Sequence, residues 1–181
     1  MTSREIEEYR ALRDTNRERS TARVWIVLAG FGIWAALALG TAALAELPVA
    51  TLVPLLLLLL TFEIVFAIHT GVERVGRYIQ VFFEDESTDR GWEHQAMEFG
   101  RRFPAGGPDP LFAAHFWAAI ILNLIPAALG APAPVEWLVI GSLHAVAILR
   151  IVSARRGARA QRAVDLEHFR AMKQEGVGPT T

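Results

Sequence analysis

Residues 49–69, VATLVPLLLLLLTFEIVFAIH, decide the fold. At ~1.5 Å per residue this stretch covers ~30 Å, the thickness of a bilayer's hydrocarbon core. Its ionisable residues are Glu63 and His69, so it has no polar face to offer water. In hydrocarbon every backbone N–H and C=O must be paired internally, which makes the stretch a helix. It predicts a membrane span.

Working outward, three more apolar blocks lie at residues 24–45, 111–130 and 135–152. Each is long enough to cross, and the predicted fold class is an all-α, integral membrane four-helix bundle made of two hairpins. Pro48, Pro110 and Pro134 fall where a first helical turn tolerates a missing N–H, and Asp109 is a good N-cap for the third span. Pro54 and Pro126 read as local kinks.

Direction follows from the cations. The chain has 18 Lys and Arg residues, one of them a lysine. They precede the first span (Arg4 to Arg23), occupy the central loop (Arg74, Arg77, Arg90, Arg101, Arg102), or lie from Arg150 to Lys173. The connections 46–48 and 131–133 have none. Both ends and the central loop are thus expected inside, with two tight turns outside. A cleaved leader is the competing reading of the start, because 43–45 resembles a cleavage site. The apolar stretch before it is too long, and the preceding 23 residues mix acids with arginines.

Composition narrows the function classes. Apolar residues make up 52% of the 181, massed in the four blocks rather than spread in amphipathic patterns. The net charge of −1 gives no reason to expect nucleic acid, and without cysteine there is no thiol nucleophile or thiolate metal site. No cofactor is implied.

The expected organisation is a cytoplasmic helical arm at 1–23 and a first span at 24–45. A second span at 49–70 continues as a cytoplasmic helix to about 84, followed by an acidic loop at 85–110. Spans at 111–130 and 135–152 and a basic helical tail at 153–181 complete it. Thr2 with Glu5 is a capping-box pattern. Beyond the second span, Val72, Val75, Ile79 and Phe82 keep helical spacing. That stripe needs a cover: the arm, the tail or another subunit. The acids between Glu84 and Glu98 suit a hard cation in type, but their spacing is not that of an EF-hand, and a solvated loop is the simpler reading. The basic tail is placed to touch anionic headgroups.

Ionisable residues inside a span are functional candidates by default. Counting ~1.5 Å per residue puts Glu63 ~21 Å, Arg150 ~22 Å and His115 ~24 Å from the outer face, with His144 and Asn123 near mid-depth. His69 is at the inner edge. Glu63 either pairs with Arg150, a structural ion pair, or couples to His115 as a titratable site that binds metal or passes a proton. Asn123 and His144 are expected to hydrogen-bond between the third and fourth spans. A metal site would need Glu63, His69, His115 and His144 to converge. In the first span Gly32, Ala36 and Gly40 form a small-residue face for close helix packing, within the chain or between copies.

The opening Glu8-Tyr9…Leu12-Arg13, the run His69…Gly76…Tyr78-Ile79…Glu84 and the pair Trp92-Glu93 resemble a group of small, uncharacterised bacterial membrane proteins. The resemblance covers about the first hundred residues. It implies a four-pass inner-membrane protein and brings no activity with it. It also draws attention to Tyr78, Glu84, Trp92 and Glu93 as a polar cluster packed on the arm.

Three functions are consistent with these readings. One is a non-enzymatic, homo-oligomeric membrane module that senses, scaffolds or binds a cytoplasmic protein partner. The others are an ion- or proton-conducting protein using Glu63, His115 and His144, and a metal-dependent membrane enzyme.

Overall fold

The computed structural model describes residues 2–43, 47–84, 91–103 and 109–176. Among them there is no strand. The helices are α1 (Ser3–Ala43), α2 (Leu52–Ile79), α3 (Trp92–Arg102), α4 (Ala113–Leu122), α5 (Leu124–Leu129) and α6 (Pro134–Gln174), with a 3-10 turn Pro48–Thr51 before α2 and a π turn Gln80–Glu84 after it. Among the described residues three helical stretches, Ser3–Ala43, Pro48–Glu84 and Pro134–Gln174, are long and apolar enough to cross a membrane, and Ala113–Leu129 is a shorter apolar stretch.

Local chemistry explains the ends. Thr2 N–H donates to Glu5 Oε2 at 2.6 Å and Glu5 N–H to Thr2 Oγ1 at 3.3 Å, the reciprocal capping box. From there α1 runs without a break through the arm and the first apolar block, since nothing between Ser3 and Ala43 interrupts it. Pro134 opens α6, and the N–H of Ala133 is taken by Glu136 Oε2 at 2.8 Å. Gly176, at φ 74, follows its last turn.

The third apolar block departs from a single helix over 111–130. Asp109 does cap, its carboxylate accepting from the N–H groups of Leu111 (3.3 Å) and Ala113 (2.9 Å). However, Phe112 is left-handed at φ 51, so α4 starts at Ala113. The helix then breaks at Asn123. Pro126 lacks the N–H that would pair with the Leu122 carbonyl, and its ring clashes with that carbonyl. Pro54 sits in the first turn of α2, directly after the 3-10 turn Pro48–Thr51. The expected end of the first span at Ala45 lies outside the described residues, as do 85–90 of the acidic loop.

The chain divides into two compact units: a charged unit (Met1–Ala22, Ile68–Pro108, Gly157–Thr181) and an apolar unit (Arg23–Ala67, Asp109–Arg156). The apolar unit is centred on Leu55, Leu58, Phe62, Val65, Phe116, Ile120 and Ile151, all buried. Phe116 meets Phe31 edge-on at 5.0 Å and Phe62 at 5.3 Å. The close approach of α1 and α2 is at Gly30, where a Cβ would collide with the Thr61 side chain. Gly32, Ala36 and Gly40 instead face outward, with open space at both glycines. Within the chain, then, the packing glycine is Gly30 and not the four-residue repeat, because the repeat lies on a different side of α1 from Thr61.

In the charged unit Ile79 of the α2 stripe is buried and aromatic side chains from α1 and α6 pack on the end of the extension. Tyr9 of α1 packs on Phe83, and Phe169 of α6 packs on Tyr78 (5.7 Å) and Phe82 (6.4 Å). Lys173 Nζ donates to the Val81 carbonyl at 2.8 Å, satisfying an acceptor in the π turn.

Candidate functional site

Among the described residues, a dense polar constellation lies in the charged unit, around Arg13 of α1. Its guanidinium reaches two carboxylates, donating from Nη1 to Glu93 Oε1 at 2.7 Å and from Nη2 to Glu84 Oε1 at 3.1 Å. Arg13 Nε donates to the Tyr9 hydroxyl at 3.0 Å, which fixes the fork. Glu84 is the most enclosed member, with 5% of its side chain exposed against 16% for Glu93 and 27% for Arg13. A carboxylate so placed needs several donors.

Glu84 finds them at the start of α3. The N–H of Glu93 donates to both of its oxygens (3.0 and 3.2 Å) and the N–H of His94 to Oε2 at 3.2 Å. These are the N–H groups an N-cap side chain normally takes. The residue at the N-cap is Gly91, which has no side chain to supply, so Glu84 caps α3 from the end of α2. A Cβ on Gly91 would occupy the place of the Glu84 carboxyl, and one on Gly76 would come within 2.9 Å of Glu93 Oε2. Both glycines make room for the carboxylates. The helix N-terminus adds its own positive end to the Arg13 charge.

Charge in this cluster is unevenly compensated. Burial pushes Glu93 above the usual carboxylate range, with Arg13 pulling it down and Glu84 pushing it further up. Tyr78 donates to Glu8 Oε1 at 3.1 Å, and burial together with the Glu8 charge raises its hydroxyl to about 12. The chemistry of this cluster is that of a clamp, joining the arm, the end of α2 and the start of α3.

Of the four residues expected to form a polar cluster on the arm, Glu84 and Glu93 meet at Arg13 and Tyr78 is fastened to the arm through Glu8. Trp92 does not join them. It is 67% exposed, because it precedes Glu93 by one residue and so points about 100° away around α3. Sequence reading alone did not single out Glu8, Arg13 or His94 as contacts, although Arg13 closes the motif that carries the resemblance. A second polar group lies between α2 and α6, where Glu73 meets Arg77 (2.7 Å) and Arg162 (2.9 Å). Buried His69 lines the small cavity beside it, of about 10 Å³, on the order of one water and too small for an organic ligand.

In the apolar unit the candidates pair off. Arg150 binds Glu63 with both arms, Nε to Oε1 and Nη2 to Oε2, each at 2.8 Å, and its guanidinium lies over the Phe66 ring. The two side chains are 37% and 43% exposed. His115 is exposed, with the ring of Phe112 beside it. Asn123, at the break between α4 and α5, is saturated. Its Nδ2 donates to the Thr51 carbonyl (2.9 Å) and to His144 Nε2 (3.1 Å), while its Oδ1 accepts from Trp34 Nε1 (3.2 Å). His144 Nδ1 lies 2.8 Å from the Ile140 carbonyl, so the proton is on Nδ1 and Nε2 is the acceptor. One amide thereby ties α1, the turn before α2 and α6 to the third apolar block.

Among the described residues no group of three or more His, Asp or Glu side chains is arranged to hold a metal ion. No protein-family model, curated protein or solved structure matches the chain.

Proposed function

We propose that this is a four-pass bacterial inner-membrane protein with its charged unit in the cytoplasm, acting as a non-enzymatic, homo-oligomeric module that presents a helical platform to a protein partner. The observation that carries the reading is how the polar groups of the apolar helices are used. Glu63 is neutralised by Arg150, and Asn123 and His144 are spent on each other and on Thr51, Trp34 and Ile140. Such pairs fasten helices and commit Glu63 and His144 to structural partners, while His115 stands exposed outside them.

The resemblance of the arm and the α2 extension to small bacterial membrane proteins supports the setting, and the confinement of cations to one set of connections supports the orientation. A fourth crossing rests on Ala113–Leu129, ~25 Å long as helix. The shortfall against ~30 Å is of the size that local thinning accommodates.

The test is reconstitution. Purified chain should give proton and cation flux no greater than empty liposomes, unchanged in Glu63→Gln, and a defined oligomer by detergent-corrected mass and cross-linking. Flux that Glu63→Gln abolishes would turn the reading to conduction, and a strict monomer would remove the oligomeric module.

A further inference from the structure

Helix α3 is inside out. Trp92, Ala96, Phe99 and Phe103 follow one another at four, three and four residues and share one stripe. That stripe is turned away from the chain: Trp92 is 67%, Phe99 55% and Phe103 56% exposed. The opposite face carries Glu93 and His94, which engage Arg13 and Glu84. None of the residues of α3 is fully buried. Phe99 and Phe103 stack at 5.0 Å into one continuous surface, and with Trp92 they present on the order of 300 Å² of aromatic area. Arg101 and Arg102 stand at the C-terminal end, both on Glu98, leaving a net positive charge there.

We propose that the Phe99–Phe103 end of α3 lies in the inner headgroup region of the bilayer, so that α3 is an interfacial membrane anchor for the charged unit. This rests on the membrane reading above. Three features favour lipid as the occupant. The composition is that of an interfacial helix, aromatic on one side with arginines at the end. Anionic lipid complements the arginines. Covalent reach also brings it there. Glu93 Oε2 approaches Gly76, only seven residues (~10 Å) past His69 at the inner edge of the second span. Phe103 is six residues, at most ~21 Å of chain, from the Asp109 cap where the third apolar block begins.

The absence of native cysteine makes the experiment direct. Single cysteines replacing Phe99, Phe103 or Arg101, and Leu56 or Leu143 as reference positions, are spin-labelled in the full chain. The protein is reconstituted in phosphatidylcholine–phosphatidylglycerol vesicles. Collision with oxygen is then compared with collision with a water-soluble nickel chelate. The expected result is an oxygen-to-nickel ratio at 99 and 103 at least about threefold that at 101, with higher ratios at 56 and 143. Nickel access at 99 and 103 equal to that at 101, with 56 and 143 still oxygen-rich, overturns the anchor and leaves the membrane reading standing. Exclusion of both reagents at 99 and 103 with label–label broadening also overturns it, in favour of a second copy of the chain. Nickel-accessible labels at 56 and 143 overturn the membrane reading itself. Should single replacement unfold α3, Phe99→Trp and Phe103→Trp, read by brominated-lipid quenching against the unsubstituted chain, keep the aromatic face intact. Added quenching is expected, and none overturns the proposal.

Discussion

Asn123 and Glu84 are both enclosed polar side chains that join separate stretches of chain, yet they are satisfied differently. Asn123, 1% exposed, is neutral and uses an indole, a carbonyl and an imidazole. Glu84 is answered by a guanidinium and a helix N-terminus. An amide has donors and acceptors to balance and no charge to desolvate, so it suits a helix interface of low dielectric. A carboxylate is tolerable only where a full positive charge is at hand. The apolar unit therefore loses little when one bond goes, whereas the charged unit depends on Arg13.

The largest expected effect breaks that dependence. Arg13→Met leaves Glu84 and Glu93 enclosed without their cation and is expected to cost about 3–5 kcal/mol. Hydrogen exchange should show α3 and residues 3–22 losing protection, with 52–67 unchanged. Next is Gly91→Ala, whose methyl displaces the Glu84 carboxyl from the start of α3. It should cost about 1–3 kcal/mol, read as faster proteolysis within 91–103. Asn123→Leu strands the Trp34 N–H, the Thr51 carbonyl and His144 Nε2, and should lower unfolding stability in detergent by about 1–2 kcal/mol. A loss as large as that of Arg13→Met would erase the contrast between the units.

The smallest effect sharpens it. The Glu93 carboxyl is raised by burial in the folded state, so folding binds its proton more tightly. The associated stability is complete below the unfolded value and is lost as pH rises through the raised folded one. Over that window the charged unit should weaken with rising pH, by thermal unfolding followed at α3. Glu93→Gln should flatten the slope, and Asn123→Leu should leave it as it is.

Much of the helical pattern was legible because it follows from short-range rules. The apolar blocks, the Thr2–Glu5 box and Pro134 as a helix start all depend on neighbours within a turn. The depth count, with helices of fixed rise, brought Glu63 and Arg150 to one level; it did not choose between Arg150 and His115. The helix break at Asn123 was available in Pro126 but reads equally as a mild kink, since the outcome depends on what takes up the freed carbonyl. Gly30 was hidden beside the more regular Gly32, Ala36 and Gly40, because close packing depends on which face meets Thr61.

By itself, then, the sequence determined which segments are apolar and where cations are withheld, since hydrophobic length is a property of contiguous residues. Within the stretch 85–110, by contrast, read as an acidic loop, the structure has the helix α3. Tertiary structure alone decided that Arg13 serves two carboxylates, that Glu84 caps a helix other than its own, and that α3 turns its aromatic face outward. Those outcomes depend on partners far apart in the chain, where no local periodicity records the distance between them.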